Sequence, residues 1–129
     1  MSKTLDLRKL IQSQLETVPG GTYHADAVPA DAELPYKTYQ LSRQNLADIA
    51  RRADIDLCID VWDIGPDRKR VDEIADAVED LFCGVNLPQS TILPTIYGDS
   101  RYPVAEKDTN IKHEQLHFAV QQYTNDKED

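Results

Sequence analysis

Carboxylates and imidazoles are the side chains of acid–base and metal chemistry, so their spacing in this chain is weighed first. The stretch Ile55-Asp-Leu-Cys-Ile-Asp-Val-Trp-Asp-Ile64 places Asp56 and Asp60 on the polar face of one strand. At a rise of about 3.3 Å per residue the two acids stand about 13 Å apart. That is too far to share one metal ion, or to flank one glycosidic bond as acid and base. They read as a solvated acidic face. His113 and His117 have the same difficulty on a presumed strand, and His24 is isolated. The chain has no GxSxG, HExxH, P-loop or GxGxxG pattern. Gly20-Gly21 reads as a helix stop, and Ser90 and Thr91 have no base within local reach. No catalytic, cofactor or metal residue is therefore assigned. Trp62, the only tryptophan, shares the acidic face and reads either as a packer at the sheet rim or as an interface anchor.

The elements that hold these residues follow from periodicity. Ile55, Leu57, Ile59 and Val61 alternate with Asp56, Cys58 and Asp60, the period of two of a half-buried strand. From Val71 the period becomes helical: Val71, Ile74, Ala75, Val78, Leu81 and Phe82 form one stripe, with acids opposite. Gly65 breaks the strand, Pro66 and Asp67 suit a helix's first turn, and Gly84 suits its end. An N-terminal helix carries Leu7, Leu10, Ile11 and Leu15, with Thr4 as its expected cap and Pro19-Gly20-Gly21 as its stop. Further strands are expected at 22–27, 36–41, 91–97 and 111–123, the third interrupted by Pro94. Residues 42–54 read as a long hairpin tip or a short helical turn, made locally basic by Arg43, Arg51 and Arg52. The expected plan is α+β: an antiparallel sheet of about four strands with two helices on one face. Residues 1–123 form one domain, and 124–129 are a flexible charged tail.

Composition bounds the task. The 129 residues suit one domain, and a net charge of −9 argues against nucleic-acid binding and against anionic lipid. No apolar run is long enough to span a bilayer. Cys58 and Cys83 lie outside any CxxC pair and read as two buried thiols in a reducing cytoplasm.

Several segments together carry a resemblance: Leu34-Pro-Tyr-Lys-Thr-Tyr39, Ile59-Asp-Val-Trp62, Leu81-Phe-Cys-Gly84 and Phe118-Ala-Val-Gln-Gln-Tyr123. In this layout residues 4–123 resemble the tail-terminator, or tail-completion, proteins of long-tailed bacteriophages and prophages. The resemblance implies a structural virion protein at the head-proximal end of the tail, made in the host bacterial cytoplasm. It implies a ring, a hexamer, that stops growth of the tail tube and joins it to the head connector or a head-completion protein. No cofactor and no membrane enter. DNA passes through without specific binding, which an acidic lumen favours. Asp56 and Asp60 are then expected at the lumen or at a subunit seam beside it. Arg43, Arg51 and Arg52 are expected to meet the tube, the connector or a neighbouring copy. Three other readings stay open. One is another component of the head–tail joint. A second is a small α+β enzyme or ligand-binding domain using His113, His117 and the acids of 56–63. The third is an adaptor that binds through a sheet edge.

Overall fold

The computed structural model describes residues 2–45, 52–88 and 92–124. The elements run α1 (Lys3–Leu15), β1 (Gly21–His24), β2 (Tyr36–Asn45), β3 (Arg52–Ile64), α2 (Lys69–Phe82), β4 (Val85–Asn86), β5 (Ile92–Pro103) and β6 (Ile111–Thr124). Among the described residues the strands join one six-stranded sheet in the order β1-β2-β3-β6-β5-β4. β1 lies parallel to β2, and every other pairing is antiparallel. The α+β plan with two helices is therefore right, but the sheet is mixed and has two more strands than expected. The edge strand β1 overlaps the strand expected at 22–27, whereas two-residue β4 is announced by no pattern. An element so short shows no period that a sequence can reveal.

The alternating residues of β3 behave as their pattern demands. Ile55, Leu57, Ile59 and Val61 are buried, opposite Val120, Phe118, Leu116 and Glu114 of β6. Leu7, Leu10, Ile11 and Leu15 of α1, and Val71, Ile74, Ala75, Val78 and Phe82 of α2, close over them in a single core. Both helices thus occupy one face of the sheet.

Helix starts differ from expectation. Ser2, not Thr4, caps α1: its Oγ accepts from Leu5 N–H at 3.0 Å, three residues on, as an N-cap side chain should. α2 begins at Lys69, and Asp67 sits before it, accepting from Lys69 N–H at 3.0 Å. The other end follows the pattern, with Gly84 at φ +70° just past the cap residue Cys83. Cys58 is buried, but Cys83 is exposed, so the expectation of two buried thiols holds for one; both are free.

Of the segment 42–54, residues 42–45 extend β2 and 52–54 open β3, which pair antiparallel; 46–51, where the hairpin tip or helical turn is expected, lie outside the described residues. Ser42 pairs with Asp56 and Arg43 with Ile55, and Asn45 pairs with Asp54 after a bulge. Arg51 and the spacing positions Leu46, Ile49 and Ala50 lie outside the described residues.

β5 also runs further than expected, to Pro103, with a bulge between Gly98 and Ser100. Its two prolines are tolerated because the strand lies next to the sheet's edge, flanked on its outer side by two-residue β4. Pro94 turns its carbonyl outward to Leu87 N–H, so its missing donor costs no bond to β6. Gly98 passes directly beneath Cys83 Sγ, where any Cβ would collide with the sulfur.

One lysine fastens α1 to the sheet. Lys37 is fully buried, and its Nζ donates to the carbonyls of Val18 (3.0 Å), Pro19 (3.0 Å) and Gly20 (2.7 Å). Three acceptors match the three donors of an ammonium. Burial, against the opposing charge of Glu16, lowers its pKa to about 8, so it remains a cation at neutral pH.

Candidate functional site

The helices cover one face of the sheet; the other carries the even-numbered residues of β3 and their partners. Because β3 and β6 run antiparallel with Asp60 opposite Gln115 and Cys58 opposite His117, two acids and two histidines meet diagonally across the ladder. His113 Nε2 lies 2.5 Å from Asp60 Oδ1, and its Nδ1 lies 2.9 Å from Glu106 Oε2, from the connection after β5. His117 Nδ1 lies 3.3 Å from Asp56 Oδ2. Gln115 bridges the two pairs: its Nε2 donates to Asp60 at 2.8 Å, and its Oε1 lies 2.8 Å from His117 Nε2 and accepts from Tyr102 O–H at 2.5 Å. Trp62 stacks on His113 with ring centres 3.6 Å apart.

This network changes the charge of the face. Asp56 and Asp60 are not a freely solvated acidic face; Asp60 is only 14% exposed, and each acid has a histidine partner. Burial pushes the Asp60 carboxyl up, but hydrogen bonds from His113 and Gln115 and the imidazole's charge outweigh it and hold the pKa below the usual carboxylate value. Burial pulls His113 down, but hydrogen bonds to Asp60 and Glu106, with their charges, raise it above the ordinary imidazole value. Burial, then the charges of Asp60 and Asp56, push the Cys58 thiol up to about 12, so it stays protonated and unreactive at neutral pH.

Beside this polar strip lie exposed large side chains. Leu93 and Tyr123 face each other across β5 and β6, with Tyr97 and Tyr102 further along β5, all between 37% and 46% exposed. Among the described residues His117 lines an open hollow with Gly98, Ser100, Arg101 and Phe118. A shallow trough lies over Ala119, lined by Arg52, Asp54, Asp56, Asp99 and Gln121. Among the described residues no group of three or more His, Cys, Asp or Glu is placed to hold a metal ion, and no helix is long and apolar enough to cross a membrane.

Of the residues singled out from sequence, Asp56, Asp60 and Trp62 come together on this face. Arg52 joins them at the end of β3, held by Asp54 through contacts of 2.8 and 3.2 Å. Arg43 is exposed near the end of β2, on the parity of the covered face, away from the acids. The enzyme-or-ligand reading groups His113 and His117 with the acids of 56–63, but the pairing itself depends on register: both pairs are four residues apart, and the β3–β6 alignment brings them together.

The opposite face has its own ionic cluster, also unforeseen. Glu114, 7% exposed, is gripped by Arg68 and by Arg101 (2.8 Å). Arg101 also reaches Asp76 (2.7 Å) and Glu79 (2.9 Å) of α2, and Arg70 binds Asp63 at 2.6 and 2.8 Å. These pairs fasten α2 to β3, β5 and β6 around the rim of the core.

The sheet is thus covered by helices on one side and presents a hydrogen-bonded polar and aromatic surface on the other. The family model described as "Tail completion protein gp17" matches residues 8–122, and the chain belongs to that family. It is a structural protein of the phage head and tail. A chain of the "Virion of native gene transfer agent (GTA) particle" has a similar fold: TM-score 0.68, 17% identity, covering 88% of this chain and 84% of that one. No curated protein matches the sequence.

Proposed function

We propose that this protein caps the finished tail tube as a hexameric ring at the head-proximal end, stops tube polymerisation and joins the tail to the head connector or a head-completion protein. The observation that carries this reading is the uncovered sheet face. Its acids are already balanced by histidines and glutamine, so burying it against another protein leaves few orphaned charges. Its exposed tyrosines, with Trp62, supply contact area of the kind that anchors interfaces. A neighbouring copy or the tube protein occupies this face. Trp62 and Arg52 belong to the contact, while Arg43 meets the tube or connector from the β2 end; Arg51 is proposed to serve the same contact. Asp56 and Asp60 then line the seam beside the lumen rather than its bare wall, because each already has a partner. DNA crosses the ring without specific binding, repelled by the chain's net charge of −9. The protein is made in the host cytoplasm and acts in the virion, as a structural part rather than an enzyme.

Electron microscopy of particles made without this protein tests the reading. Overlong tubes are expected. Tubes of normal length that merely lack heads would replace tube-stopping with a joining role alone, and normal headed tails would refute both.

A further inference from the structure

His113 is placed as few histidines are. It is 5% exposed, roofed by the Trp62 ring at an interplanar angle of 17°, and both its nitrogens face carboxylate oxygens. Only the imidazolium can donate to both; a neutral ring has one N–H and turns a lone pair toward the other acid. The two acids are not equivalent. Asp60 sits on β3 and also accepts from Gln115 Nε2 and, at 3.7 Å, from the Cys58 thiol. Glu106 belongs to the 104–110 connection and is twice as exposed, 29% against 14%. That connection is fastened at its start by Val104 N–H to His113 O (3.0 Å) and at its end by Gly65 N–H to Asn110 O (2.8 Å). Midway, Glu106 is fastened by His113.

We propose that His113 is a pH-sensitive latch, which clips the 104–110 connection onto the uncovered sheet face while protonated and releases it on losing its proton. The proton that stays is the one at Nε2, facing the better-held Asp60. The Nδ1 proton leaves, and Glu106, the carboxylate more easily rehydrated, swings out. The groups that face His113 are accounted for on every side. β3 supplies Asp60 and Trp62, the connection supplies Glu106, and β6 supplies the Gln115 amide, with Tyr102 of β5 beyond it. On the far side of β6, Glu114 is taken up by Arg68 and Arg101 and adds no free charge. The opening reshapes the groove lined by Arg68, Val104, Glu106, Thr109 and Lys112, beside the proposed contact face.

Two readouts on the intact chain test this: the ring-proton titration of His113 by NMR, and amide exchange across 104–110, corrected for base catalysis. In the wild type His113 is expected to titrate above about 6.5. Exchange in 104–110 is expected to rise about tenfold through that titration, the scale of one charge-assisted hydrogen bond, while Leu57 and Ile59 stay unchanged. Glu106→Gln keeps the shape of a half-exposed side chain and folds normally. It is expected to lower the His113 titration point and flatten the pH response of the connection. Exchange that ignores the titration, a His113 that titrates at or below 6.5, or a Glu106→Gln protein indistinguishable from wild type would each overturn the latch.

Discussion

Trp62 and His113 stack nearly parallel, 3.6 Å between ring centres, across the β3–β6 ladder. The single tryptophan of the chain therefore reports directly on a histidine that is itself held between two acids. An imidazolium quenches indole emission more than a neutral imidazole does. Trp62 fluorescence is expected to be low in acid and to recover as pH rises through the His113 titration. The sign for stability follows from the raised pKa. The contribution of His113 is complete below the unfolded value of about 6.5 and is lost as pH rises through the folded value. Emission that does not change between pH 5 and 9 would contradict the stacked, protonated arrangement.

Replacing Trp62 by alanine removes this roof and part of the aromatic surface. Chemical unfolding is expected to show a loss of about 1–3 kcal/mol, from lost burial and stacking. Trp62→Phe is expected to recover most of it. If assembly into tails falls further than this modest loss explains, Trp62 acts at a contact and not only within the sheet.

Lys37 offers a different test, because its partners are main-chain carbonyls. Lys37→Met fills the space but leaves the Val18, Pro19 and Gly20 carbonyls without their donor, and is expected to destabilise by about 2 kcal/mol. The pH dependence has the opposite sense to that of His113. A lysine pKa lowered to about 8 means that the unfolded chain holds more protons between pH 8 and its ordinary value near 10.5. Across that window the wild type is expected to gain stability relative to Lys37→Met as pH rises.

Glu114 and Arg101 separate buried from exposed ion pairs. Arg101 meets nearly buried Glu114 on one side and 68%-exposed Asp76 on the other at similar distances. Water screens the second contact and not the first. Double-mutant cycles are expected to give a coupling above about 1 kcal/mol for Arg101–Glu114 and below about 0.5 kcal/mol for Arg101–Asp76. Equal couplings would mean that burial does not decide the strength of these pairs.

The two long-period elements were legible from sequence, since Val71–Phe82 and Ile55–Val61 each carry an unbroken apolar stripe, and Leu116, Phe118 and Val120 mark β6. The edges were legible only in part. The strand expected at 22–27 is found as Gly21–His24, but two-residue Val85–Asn86 joins the sheet through backbone pairing, which leaves no mark on side-chain pattern. Prolines at 94 and 103 disguised β5, because a proline is costly only where its missing donor faces a neighbouring strand. The candidate face was half legible. Asp56, Asp60 and Trp62 could be placed on one side of a strand, but their partners depend on register. Register is set by the whole sheet, so His113, His117 and Glu106 could not be brought to them from local spacing alone. Lys37 was missed for a related reason: a lysine on the apolar face of a strand looks like a break in the pattern until its carbonyl acceptors are in view.

Hydroxyl-radical footprinting of the free protein against the same protein in assembled tails tests the central claim most directly. If the uncovered sheet face meets other copies and virion parts, Tyr97, Tyr102, Tyr123 and Trp62 become protected in tails. Tyrosines and tryptophan oxidised equally in both states would contradict it.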